Sequence, residues 1–156
     1  MVLVHCSVVA VDGLAYAFTA KSGTGKSTHT AIWRRVFGSR AVMINDDKPI
    51  IGIRNGKATV YGTPWNGKHG LGTNTSAPLK GVCFLSRGEK NVISKLERKA
   101  QVLPALLNQT FRPMEPVALK RTLEILDEII ECVDFYKLEC NMEDEAAEVS
   151  YNGMNS

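Results

Sequence analysis

No stretch of this sequence is long and apolar enough to span a bilayer. The N-terminus lacks the basic region, apolar run and small-residue cleavage site of a secretory leader. Internal repeats, linkers and low-complexity segments are absent. Charge of one sign is scarce too: 19 Lys and Arg against 16 Asp and Glu leave a net charge of +3. The basic residues are scattered, without the stripe or patch that nucleic-acid binding requires. The four cysteines, at 6, 83, 132 and 140, lack metal-site spacing. Two of them fall inside apolar runs, which suits buried thiols in a reducing compartment. The expectation is a cytoplasmic protein with no membrane or nucleic-acid partner. At 156 residues, a single domain over 1–156 is expected. A chain of that size buries about 70% of its unfolded surface.

What is present reads as alternating strands and helices. Val2 to Val11 is apolar and β-branched and predicts a strand. Asp12-Gly13 predicts a hairpin turn, with the chain returning as Leu14 to Phe18. Ser27 to Phe37 predicts a helix stopped by Gly38, and Ala41 to Ile44 a buried strand. Ile50 to Ile53 and Ala58 to Tyr61 form a second hairpin around Asn55-Gly56. Thr63 to Pro78 is long and irregular, rich in Gly, Asn, Thr and Pro. Val82 to Leu85 predicts a short strand, with Val92 to Leu96 as its partner. Glu97 to Asn108 predicts a helix kinked or split at Pro104. In Pro116 to Val133, the residues Leu119, Leu123, Leu126, Ile130 and Val133 draw one apolar helical stripe. Phe135 to Glu139 predicts a strand and Glu143 to Tyr151 a closing helix.

The most informative segment is Ala20-Lys-Ser-Gly-Thr-Gly-Lys-Ser-Thr28. It follows an apolar strand and precedes a helix, the setting of a phosphate-binding loop. Glycines at 23 and 25 let backbone N–H groups turn inward around phosphates. Lys26 supplies a point charge for the outer phosphates, and Ser27 a hydroxyl for the Mg²⁺ that accompanies a nucleotide. Ala20 replaces the strict first glycine with another small residue. The expected nucleotide contacts are Ser22, Gly23, Thr24, Gly25, Lys26, Ser27 and Thr28.

One helix later, Asn45-Asp46-Asp47 ends an apolar strand. Adjacent residues of a strand project to opposite sides. One carboxylate would then hold Mg²⁺ and the other act as a general base, and the sequence does not distinguish them. Asn-Asp-Asp before Lys48-Pro49 is equally good turn chemistry. His5, on the strand expected to pair with the loop's strand, reads by itself as a structural histidine.

Together these residues resemble the catalytic domain of HPr kinase/phosphorylase, of the same superfamily as ATP-dependent phosphoenolpyruvate carboxykinase. The resemblance rests on His5, the Asp12-Gly13 turn, Ser22-Gly-Thr-Gly-Lys-Ser27 and Asp46-Asp47, and covers about the first third of the chain. It departs at Thr28, where that family usually carries an acidic residue. The family's Glu-Ile-Arg-Gly signature is missing, and Tyr61-Gly-Thr-Pro-Trp-Asn-Gly-Lys68 stands in that region. The whole chain is similar to short bacterial HPr-kinase-like proteins.

The resemblance implies an α/β phosphate-loop domain with a mixed sheet and flanking helices. It implies transfer of the γ-phosphoryl of ATP, with Mg²⁺, to a hydroxyl on a small molecule or on a peptide or protein serine. His5 then becomes an active-site residue that orients the acceptor or a carboxylate. A homo-oligomer is implied as well. The alternative is a nucleotide-binding, ATP-hydrolysing regulatory module without an acceptor. In the irregular stretch, Trp65 is expected to stack on substrate, and Lys68 and His69 to neutralise an anion. The competing reading is a core-packed tryptophan beside solvated basic residues.

Overall fold

A computed structural model describes residues 1–21, 24–65, 70 and 72–156. The chain builds a nine-stranded mixed sheet between two helical layers. The strands are β1 Val2–Leu3, β2 Ser7–Val11, β3 Leu14–Thr19, β4 Ala41–Asn45, β5 Ile50–Arg54, β6 Lys57–Tyr61, β7 Ser76–Arg87, β8 Val92–Leu96 and β9 Asp134–Cys140. The helices are α1 Lys26–Phe37, α2 Lys99–Asn108, α3 Pro116–Cys132 and α4 Asp144–Met154. The order β1-β5-β6-β7-β3-β2-β4 makes one path, and β9 joins β7 and carries β8.

Both faces of the central strands are covered, so they read as continuous apolar runs. The pleat sorts them. Val8, Ala10, Ala15, Ala17, Val82 and Phe135 face α2 and α3. Val9, Val11, Tyr16, Phe18, Cys83 and Tyr136 face α1 and α4. Cys6 and Cys83 are buried, as expected of thiols in apolar runs.

The two hairpins form where the turn residues require them. Asp12 and Gly13 have φ of 53° and 84°, and Val11 pairs directly with Leu14. Asn55 and Gly56 repeat this with φ of 53° and 75°. Positive φ at both turn positions matches the right-handed twist of the flanking strands. Strand β2 runs antiparallel to both β3 and β4, so β3 and β4 run the same way with β2 between them. Strands β7 and β9 share that direction. The carboxyl ends of β3, β4, β7 and β9 therefore lie along one edge, where α/β sheets bind ligands.

Four expectations change. Val2 to Val11 is two strands, not one: β1 pairs with β5, and β2 with β3 and β4. The break falls at Val4–Cys6, where the Val4 and Cys6 amides bond to the Pro49 and Asp47 carbonyls and the His5 amide to Gln109 O. His5 thus lies in the break, off the strand that pairs with β3. Strand β8 pairs with β9 rather than β7, because β7 is already flanked by β3 on one edge and by β6 and β9 on the other. Helix α2 runs through Pro104 without splitting, seated on the core through Val102 and Leu106. The buried stripe of α3 is centred on Thr122, Ile125, Leu126 and Ile129. Leu119, Leu123 and Ile130 are only half-buried, so the face is turned about one residue from the predicted one.

Candidate active site at the strand ends

Strand β3 delivers the chain into the glycine segment, and α1 begins at Lys26. Gly25 caps the helix with φ 101°, a left-handed conformation that side-chain-bearing residues rarely adopt. Its carbonyl accepts from the His29 amide at 2.9 Å, which starts the helical ladder. Lys26 is buried at 8% exposure, and its Nζ donates to Ala20 O at 3.3 Å. Burial lowers its pKa. Thr24 and Ser27 are half-buried and Thr28 is exposed. Ser22 and Gly23 lie outside the described residues.

Asp46 follows β4 and is buried at 6% exposure. Its Oδ1 accepts from Ser27 Oγ at 2.9 Å and from Ser7 Oγ at 2.6 Å. Thr30 Oγ1 lies 2.8 Å from Ser7 Oγ. The first turn of α1 and the start of β2 thereby close on one carboxylate oxygen. Neither Ser7 nor Thr30 belongs to the motif that the sequence shows. The available signal was a small hydroxyl opening the otherwise apolar run Ser7–Val11.

Asp47 lies within reach of different partners. Its Oδ1 is 3.1 Å from His5 Nε2, and its Oδ2 accepts from Lys48 Nζ at 3.0 Å. His5 is partly open to solvent, with 34% of its side chain exposed. Its pKa is lowered, first by burial and then by the Lys26 charge, against the raising effect of Asp47. A largely neutral imidazole at pH 7 follows. The His5 carbonyl also accepts from Thr19 Oγ1 at 2.9 Å, tying it to the end of β3.

The turn at Asn45 separates the two carboxylates. Asn45 Oδ1 accepts from the Asp47 and Lys48 amides, both at 2.9 Å. Asparagine mimics a backbone turn in this way. The turn reading and the site reading of Asn-Asp-Asp are therefore compatible: the turn is what sends the two carboxylates to different partners.

The stretch after Thr63 borders this corner. Asn45 Nδ2 donates to Thr63 O at 3.0 Å, and the Lys48 amide to Trp65 O at 3.2 Å. Gly72 bridges to Asn45, and the Thr73 amide donates to Ile44 O. Trp65 is 57% exposed at the rim, which removes the core-packed reading. Lys68 and His69 lie outside the described residues. The predicted irregular stretch ends three residues early, because β7 already begins at Ser76.

Among the described residues, no group of three or more His, Cys, Asp or Glu side chains is disposed to hold a metal ion. Ser27 and Asp46 instead form a two-oxygen corner. No helix of the described residues is long and apolar enough to cross a membrane.

No family model and no curated protein matches the chain. Among solved structures, it is similar to the HPr(Ser) kinase/phosphatase from Coxiella burnetii. The TM-score is 0.51 at 12% identity, over 96% of this chain and 94% of that one. At that identity the likeness shows a shared α/β fold.

Proposed function

We propose that this chain is an ATP-dependent kinase that transfers the γ-phosphoryl group to a hydroxyl acceptor. The observation that carries the reading is the Ser27 Oγ–Asp46 Oδ1 hydrogen bond at 2.9 Å. It joins a glycine-loop helix start to a carboxylate at the end of β4, which runs parallel to β3 with β2 between them. Phosphate-loop enzymes hold Mg²⁺ between such a hydroxyl and such a carboxylate.

The donor set fits that ion. Mg²⁺ takes hard oxygen ligands and usually keeps one or two protein groups, the rest being phosphate and water. Ser27 and Asp46 would hold it. Bound there, Mg²⁺ supplies charge neutralisation at the phosphates. Lys26 and the loop amides, from Ser22 to Lys26, would position the phosphate chain.

The reaction then runs with Asp47 as base. The acceptor hydroxyl gives its proton to the Asp47 carboxylate as its oxygen bonds to the γ-phosphorus. The bond from that phosphorus to the β,γ-bridging oxygen breaks, and its electron pair leaves with ADP. His5 and Lys48 would hold the Asp47 carboxylate in line. Trp65, exposed beside Lys48, would border the acceptor, with Lys68 and His69 proposed as nearby anion contacts. The acceptor class is a small hydroxyl compound or a serine in a peptide or protein.

The test is ADP release with labelled ATP, with and without a panel of hydroxyl metabolites, serine first. Acceptor-dependent turnover with label on the acceptor is the expected result. Release that no acceptor stimulates would favour a hydrolysing regulatory module and overturn the kinase reading.

A further inference from the structure

Residues 109–115 join α2 to α3 and carry the most exposed large apolar side chain of the described residues. Met114 is 98% exposed, Phe111 67%, and Val117, in the first turn of α3, 74%. Soluble surfaces scatter such residues singly, and several together mark an interaction site.

The connection is tied down at both ends. The Phe111 amide donates to Leu3 O at 2.8 Å, Thr110 bridges to Val4, and Thr110 Oγ1 donates to Leu106 O at 2.7 Å. At the other end the Glu115 carboxylate accepts from the Val117 and Ala118 amides, at 3.0 and 2.7 Å. Pro113 and Pro116 fix φ between these anchors. The apolar side chains are therefore held outward by a braced loop. A side chain as open as Met114 has protein on almost no side, so the loop projects and does not form a groove.

Charge around the loop is polarised. Arg112 follows Phe111, and Lys120 and Arg121 lie three and four residues after Val117, on its face of α3. Arg112 and Lys120 are exposed and make no ion pair among the described residues. Arg121 pairs with Glu124 and Glu128. The exposed acids Glu124, Glu128 and Glu131 come farther along α3, away from the loop. Glu115 is the acid at the loop end, and its carboxylate is engaged in capping the helix.

We propose that this loop docks the protein on an anionic lipid surface. Phe111, Met114 and Val117 enter the interface between headgroups and acyl chains, and Arg112 and Lys120 meet the headgroup phosphates. A projecting apolar apex fringed by cations suits insertion into a lipid interface, and contact of this kind needs no spanning helix. The acids of α3 point the same way, since only the loop end of that helix is attracted to a negative surface. None of these residues takes part in the proposed phosphoryl transfer.

The experiment is co-sedimentation of the full chain with vesicles of phosphatidylcholine alone and of phosphatidylcholine with about one-third phosphatidylglycerol, at low salt. The parent should bind the anionic vesicles at least about tenfold more tightly than the neutral ones. Met114→Ser should weaken binding to the anionic vesicles about tenfold, and Arg112→Glu should do the same. Replacing Phe111, Met114 and Val117 together by serine should abolish it. Met142→Ser, at a methionine 77% exposed beyond β9, is the control and should bind like the parent. Both methionines are exposed, so neither replacement disturbs the core. Absence of binding to the anionic vesicles, equal binding to both compositions, or a triple variant that binds like the parent would overturn the proposal. A parent that ignores vesicles but self-associates in ultracentrifugation, with the triple variant monomeric, would also overturn it and give the loop to a protein interface.

Discussion

His5 Nε2 lies 3.1 Å from Asp47 Oδ1, and the break between β1 and β2 puts it there. The chain leaves β1 at Leu3 and re-enters the sheet at Ser7. Between them the Val4 and Cys6 amides bond to the carbonyls of Pro49 and Asp47. Those flanking bonds lay the His5 side chain against the first residues after β4. The imidazole is held neutral by burial and by Lys26, so the contact works as a hydrogen bond more than an ion pair. In the proposed reaction this contact orients the carboxylate.

Lys26→Ala should weaken ATP binding by about 10- to 100-fold, the value of a charge-assisted hydrogen bond to phosphate. The fold should persist, because among the described residues Lys26 Nζ bonds only to the Ala20 carbonyl. A melting temperature within a few degrees of the parent's checks this alongside calorimetry. Unchanged ATP affinity would remove the phosphate-loop assignment.

Ser7→Ala tests a residue outside the family-like motif. Its hydroxyl donates to Asp46 Oδ1 at 2.6 Å, and both groups are buried. Removing one donor from a buried carboxylate should cost about 1–3 kcal/mol of stability. Urea unfolding measures that loss, and a raised Mg²⁺ requirement for ATP binding should accompany it. A variant as stable as the parent would mean the Ser7 contact contributes nothing.

Acid should destabilise the fold through His29. Burial pushes its pKa down from 6.5 to about 4. Between those values the unfolded chain binds a proton that the folded chain does not, so stability rises with pH across that window. It is fully present above about pH 6.5 and falls as pH drops toward 4, by about 3 kcal/mol at most. His5, lowered for the same first reason, adds a slope of the same sign. Melting curves from pH 8 to 4.5 should show a shallower fall for His29→Gln than for the parent. Parallel curves would remove His29 as a source of the pH dependence.

The parts legible in the sequence were those governed by local chemistry. Asp12-Gly13 and Asn55-Gly56 each demanded positive φ, and each made a two-residue turn. Gly38 stopped α1 because its φ of 56° with ψ of −127° is a non-helical conformation open chiefly to glycine. What escaped was set by contacts distant in sequence. Nothing near Val92 says that β9 will slip between β8 and β7. Nothing near Ser7 says that its hydroxyl will meet Asp46. Nothing near His29 says that its ring will be buried with Trp33 and Ser150 closing around Nε2. The Asn-Asp-Asp sequence suits both a turn and a site, and Asn45 makes the turn beside both carboxylates.

The two aspartates should fail differently when each is changed to asparagine. Asp46 Oδ1 is bonded to Ser27 and Ser7, the corner proposed for Mg²⁺, whereas Asp47 is bonded to His5 and Lys48. Asparagine preserves shape and one acceptor oxygen but neither the charge nor the ability to take a proton. Asp46→Asn should therefore raise the Mg²⁺ concentration needed for ATP binding and recover in part at high metal. Asp47→Asn should leave Mg²⁺–ATP affinity near the parent's. Its kcat with an identified acceptor should fall by about 10² to 10⁴, the usual worth of general-base assistance. The measurements are kcat and metal dependence for each variant, with ATP affinity by calorimetry. The reverse pattern, metal dependence at Asp47 and a pure kcat loss at Asp46, would exchange the two roles. Parental kinetics in both at every metal concentration would leave Asn45-Asp46-Asp47 as a turn alone and end the proposed mechanism.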